Sequence, residues 1–186
     1  MNINLTTLVM TLAFVQWVGI ATLSAQQEQA SNEKPPVAIT EIKPVLASIG
    51  TGQWTKVLVT FNSEPKWVDG MQLSVTALVG DGTEERPYSV LTGIVRYINV
   101  PKGQNTGVLY ISPNTTKRYG GVTAVAADLY LNDRVVSSSE WSGGGKKPPQ
   151  NWQGVFDRRD GGLLPITSTP WVATEYDKYP DLVGGR

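Results

Sequence analysis

Between Val37 and Ser138 the chain breaks into short runs of Val, Ile, Thr, Tyr and Leu punctuated by Gly, Pro, Asn and Asp, the pattern of many short strands. The plainest alternation sets Met71, Leu73, Val75, Ala77 and Val79 against Gln72, Ser74 and Thr76, between Asp69-Gly70 and Gly80-Asp81-Gly82. It predicts an antiparallel strand with one face in a core. In the run Trp54 to Phe61, Thr55, Val57, Val59 and Phe61 share one face, and Asn62 to Pro65 reads as the turn that follows. Upstream, residues 38–42 and 45–49 read as one strand interrupted at Pro44, whose missing N–H suits an edge strand or one that changes sheets. Tyr88 to Val100 carries Gly93, where a bulge or bend is expected. Gly107 to Ser112 is a further strand, closed by Pro113-Asn114.

Val122 to Ser138 predicts a hairpin with Asn132-Asp133 as its two-residue loop, Tyr130 opposite Val135 and Leu129 opposite Val136. About seven strands at this spacing predict an all-β, two-sheet sandwich over residues 37–138. Its expected core is Val57, Val59, Phe61, Leu73, Val75, Ala77, Leu109, Ile111, Leu129 and Val136.

The flanks differ in kind. No charged side chain precedes Glu28, and residues 5–23 are mostly apolar. Thr6, Thr7, Thr11, Gln16 and Thr22 argue against a permanent span, so residues 1–25 read as a signal peptide cleaved after Ala25. Left uncleaved, this segment would be the chain's membrane attachment. Residues 26–36 form a polar lead ending in Pro35-Pro36, and 139–151 a Gly/Pro linker. The C-terminal extension, 152–186, carries large apolar groups among Gly, Pro and Asp. Such a segment is expected to cover a surface, its own sandwich or a partner, through Trp152, Phe156, Trp171, Tyr176 and Tyr179.

Charge changes the picture by exclusion. Lys+Arg and Asp+Glu are 16 each, so no net charge steers the chain to nucleic acid. Cysteine and histidine are both absent. The fold therefore rests on its hydrophobic core, and the usual catalytic triads and transition-metal sites are unavailable to it. Two carboxylate clusters remain, Asp81 with Glu84 and Glu85, and Asp157 with Asp160. Solvated turn charges account for both more simply than a glycosidase pair does. Neither has EF-hand spacing, and Arg158 and Arg159 disfavour a cation at the second. No catalytic residue, metal or cofactor is expected. Asn114-Thr115-Thr116 fits the glycosylation acceptor pattern, a short motif that arises often by chance. Trp54, Trp67, Trp141, Trp152 and Trp171 lie beyond the signal, available for packing or for stacking on a sugar.

Val122 to Val136 resembles the last hairpin of an immunoglobulin-like domain, with Tyr119 placed as a tyrosine corner. Leu163 to Trp171, followed by Asp177-Lys178-Tyr179, resembles the closing segment of Ig-like exported proteins encoded beside type IV pilus and secretin genes in some bacteria. The resemblance spans Val37 to Leu182 and implies an immunoglobulin-like β-sandwich associated with pilus or secretion machinery, with no catalytic residues to carry over. A type IV pilin would show a Gly-Phe cleavage site and a Glu five residues into a long apolar helix. Here Gly19-Ile20 is followed by Ala, Thr, Leu and Ser, and Glu28 comes much later. The expectation is a non-catalytic exported structural or interaction protein, an accessory or adhesive component at the periplasmic or outer surface. Its partners would be proteins of a cell-envelope assembly, copies of itself included. The alternative is a carbohydrate-binding β-sandwich module.

Overall fold

The computed structural model describes residues 35–50, 52–143 and 147–180. The signal reading of residues 1–25 and most of the polar lead lie outside the described residues. Along the chain, strands β1 (Val37–Ile49), β2 (Gly52–Val68), β3 (Met71–Val79), β4 (Ser89–Tyr97) and β5 (Val100–Ile111) precede helix α1 (Pro113–Tyr119). Strands β6 (Val122–Leu131), β7 (Arg134–Ser142) and the short β8 (Arg158–Asp160) follow. They form two sheets, β1-β2-β5 and β7-β6-β3-β4-β8. Pairing is antiparallel except between β4 and β8. The first seven strands thus make the predicted all-β sandwich, with the fourth strand transferred between sheets relative to an immunoglobulin constant domain.

Alternation along β2 and β3 turns Val57, Val59 and Phe61 toward Leu73, Val75 and Ala77, and Leu109, Ile111 and Leu129 complete this layer of the core. Each is 1% exposed or less, and Val136 packs against them partly buried. Burying one such side chain contributes about 1.5–3 kcal/mol, so the intersheet layer dominates stability. β3 is half-buried only at its start. Farther along, Thr76 and Leu78 on its other face are buried too, because the C-terminal segment covers that face.

Several local expectations are corrected. β1 runs unbroken through Pro44, which sits opposite Val57 on an edge strand. No turn occurs at Asn62 to Pro65: β2 continues to Val68, and its register against β5 shifts between Ser63 and Trp67. Pro65 falls in that irregular stretch, where a missing N–H removes no ladder bond. Gly93 makes no bulge, since β3 and β4 stay in register across it. An added Cβ there would lie 2.5 Å from Leu163 Cβ and 2.6 Å from the Leu163 carbonyl oxygen, so close approach of another segment is what requires glycine. The hairpin loop is Asn132-Asp133, both at positive φ as a type I′ turn demands, and Tyr130 lies opposite Val135. A register shift after Leu129 places it opposite Ser137 instead of Val136. β7 reaches Ser142, so residues 139–142 are strand and not linker. Pro113-Asn114 opens α1, capped by Ser112 accepting from the Thr115 amide.

Candidate functional site

The segment after the sandwich forms a strap. Trp152, in a single helical turn, is buried against Leu78, Val90, Ala124 and Ala126 on the outer face of the five-stranded sheet, with Phe156 and Tyr88 partly buried beside it. The strap then runs along the edge of β4 as β8, with Thr92 Oγ1 donating to Asp160 Oδ1 at 2.8 Å. Leu163 enters the main core, in the space that Gly93 leaves open. Leu164 exchanges two backbone hydrogen bonds with Tyr110, each 2.8 Å, on the otherwise free edge of β5. Finally Ile166 and Trp171 cover Val108 and Tyr110 on the outer face of the three-stranded sheet. One segment therefore clasps both sheets and pairs with part of each strand edge on that side, three residues of β4 and one of β5.

The clasp closes on an ion cluster. Lys56, buried on β2, places Nζ 2.6 Å from Glu175 Oε2 and 3.6 Å from the centroid of the Trp171 ring. The hydroxyls of Tyr110 and Tyr179 donate to the same Oε2 at 3.2 and 3.4 Å, and Lys178 Nζ donates to Oε1 at 3.2 Å. Tyr110 stacks on Trp171 with centroids 6.2 Å apart and meets the edge of Trp54. Burial alone would raise the pKa of Glu175, but the hydrogen bonds and charges of Lys56 and Lys178 outweigh it and hold the carboxyl below its ordinary range. Tyr110 and Tyr179 are pushed up, first by burial and then by neighbouring groups that include Glu175. A carboxylate already accepting four donors is suited to holding the strap and not to taking a proton from a substrate.

Of the residues singled out in the sequence, Trp152 and Trp171 are buried anchors, while Phe156 and Tyr179 are partly buried. Trp171 and Tyr179 meet at the ion cluster, whereas Trp152 and Phe156 lie on the opposite sheet. Tyr176 begins a 3₁₀ turn, and its side chain lies outside the described residues. Trp54 and Trp141 are also packed, and Trp67 alone among the tryptophans of the described residues is well exposed, at 57%. Tyr119 ends α1 with its ring against the main core and the Arg118 guanidinium 5.1 Å from its centroid. Asp81 accepts from the amide and hydroxyl of Thr83 within its own turn, and Asp157 and Asp160 pair loosely with Arg159 and Arg158. Among the described residues no acidic group of three or more could hold a metal ion. Lys56 and Glu175, 119 positions apart, carried no signal in the sequence.

One family model matches residues 50–185, most of the chain. The chain belongs to that family. The matched span leaves out β1 but takes in the rest of the sandwich and the strap. None of the curated proteins matches. Among solved structures, one from Akkermansia muciniphila is similar with a TM-score of 0.64 and 19% identity, covering 79% of this chain and 92% of that one. At that identity the likeness shows the fold.

Proposed function

We propose that this protein is a non-catalytic, exported structural or interaction component of cell-surface pilus or secretion machinery. The observation that carries the reading is the strap. Its aromatic anchors and ion cluster are devoted to fastening the chain's own sheets, and it caps part of the β4 and β5 edges while β1 and β7 remain as outer strands of their sheets. The outer strands β1 and β7 adjoin each other, the Ile39 amide already donating to Ser137 Oγ at 3.0 Å, and their remaining unpaired backbone groups are where a partner strand would add. The absence of His and Cys, the engagement of Asp81, Asp157 and Asp160 in turns and pairs, and the resemblance of the closing segment to that of pilus-associated exported proteins support the same reading. Shearing surface structures from cells that make the protein tests it. The protein should appear in the sheared or outer-envelope fraction and cross-link to envelope proteins. Recovery only from the cytoplasm would overturn the proposal.

A further inference from the structure

Helix α1 and the turn after β8 face each other across a cleft of about 320 Å³. One wall is Asn114, Arg118 and Tyr119 from α1; the other is Arg159 and Asp160 from the strap, over a floor of Leu91. The two walls meet only because the strap is docked. The volume lies at the lower end of the roughly 300–1,000 Å³ usual for ligand sites, enough to seat one ring.

The side chains narrow the ligand further. Arg118 and Arg159 are exposed cations on opposing walls. Arg159 pairs with Asp157 at 3.5 Å, but both side chains are at least half exposed, a weak contact with which a ligand anion competes readily. Two guanidinium forks suit a carboxylate. Asp160 is exposed, its Oδ1 accepting from the buried Thr92 hydroxyl and 3.8 Å from Arg158 Nε, which leaves its other oxygen to accept from a ligand hydroxyl. It also opposes a multiply charged phosphate, as the arginines oppose a metal ion. The β4 edge beside the cleft is taken by β8, so a peptide finds no ladder there. What remains is a singly charged, hydroxyl-rich ring; Tyr119, packed on the core with the Arg118 guanidinium over its ring, lines the cleft beside it.

We propose that this cleft binds a single sugar residue carrying a carboxylate. Arg118 and Arg159 hold the carboxylate, and Asp160 and Asn114 the ring hydroxyls. Because the strap builds one wall, occupancy also holds the strap down. The site is independent of the assembly reading: a chain found outside any surface structure would still bind.

Calorimetric titration of the full chain tests it, with glucuronic, galacturonic and N-acetylneuraminic acids as probes and glucose, galactose, acetate and glucose 6-phosphate as controls. At least one acidic sugar should bind with a Kd of about 1 mM or tighter, ahead of every control. Arg118→Ala and Arg159→Ala should each weaken it roughly tenfold while melting like the parent. Asp160→Asn should weaken the acidic sugar and leave acetate unchanged. The proposal is overturned if no acidic sugar saturates below about 10 mM, if a neutral or phosphorylated sugar binds as tightly, or if the arginine variants bind as the parent does.

Discussion

Replacing Lys56 by Met leaves the Glu175 carboxylate on the strap without its nearest cation. Both side chains are only 10% exposed, and removing one partner of a buried pair costs about 3–5 kcal/mol. Two features move the cost to the lower end. Lys178 still reaches Oε1, although its own side chain is 62% exposed, and the Met thioether keeps a contact with Trp171 in place of the lost cation–π interaction. We expect a loss of about 3 kcal/mol, a fall in Tm of roughly 6–12 °C for a domain of this size. Lys56→Met combined with Glu175→Gln removes both charges, keeps an acceptor for the Tyr110 and Tyr179 hydroxyls and should recover most of the loss, with a coupling of about 2 kcal/mol or more. Urea unfolding followed by circular dichroism gives the free energies. Hydrogen exchange at the amides of Tyr110 and Leu164, which bond the strap to β5, shows whether the strap opens first. A Lys56→Met variant within about 0.5 kcal/mol of the parent, or a double variant as destabilised as the sum of the singles, would refute the claim that this pair fastens the strap.

Acid should loosen the strap: the depressed carboxyl of Glu175 contributes stability that is complete above the unfolded value near 4.3 and is lost as pH falls through the folded one. Melting scans in the acid range should show this loss in the parent and a smaller one in Glu175→Gln. At the other end, the raised Tyr110 and Tyr179 hydroxyls contribute fully below about pH 10 and lose that contribution as pH climbs through their folded values, so alkaline scans should also fall. Gly93→Ala should cost about 1–3 kcal/mol, because the new methyl meets Leu163 backbone and Leu109 that must move; the check is proteolysis at Gly161-Gly162, expected to quicken before the sandwich melts. Leu73→Asp buries an unpaired carboxylate between the sheets and should abolish the cooperative transition, whereas a parent-like melt would mean the register of β3 is misread.

What could be read in the sequence was whatever depends on neighbours along the chain. β3 was legible because its alternation is unbroken, and the β6–β7 hairpin because Asn132-Asp133 tolerates positive φ. α1 was missed although Ser112 and Pro113 are good capping residues, because seven residues with none buried carry no apolar stripe. The reading of Asn62 to Pro65 as a turn failed for a different reason. Turn residues also suit an irregular stretch of a long strand, and only the partner strand decides which. Gly93 shows the same limit, since its reason is a segment that arrives 70 positions later. The aromatic content of the extension was visible, but not which sheet each ring would meet, and the Lys56–Glu175 pair depends wholly on the folded path.

The strap follows the sandwich in the order of synthesis, which gives it a bearing on the timing of maturation. When β7 leaves the ribosome the sandwich strands are all made, yet the β4 and β5 edges are still bare and the slot for Leu163 is empty. Roughly thirty more residues must follow before Trp171 can dock, a delay of several seconds at ordinary elongation rates. During that interval the nascent chain offers two unpaired edges to any neighbouring strand, so a holding chaperone that stays until the strap has emerged would raise the yield of monomer. Stop codons placed just after Ser142 should therefore deplete soluble protein far more than their effect on the number of strands suggests.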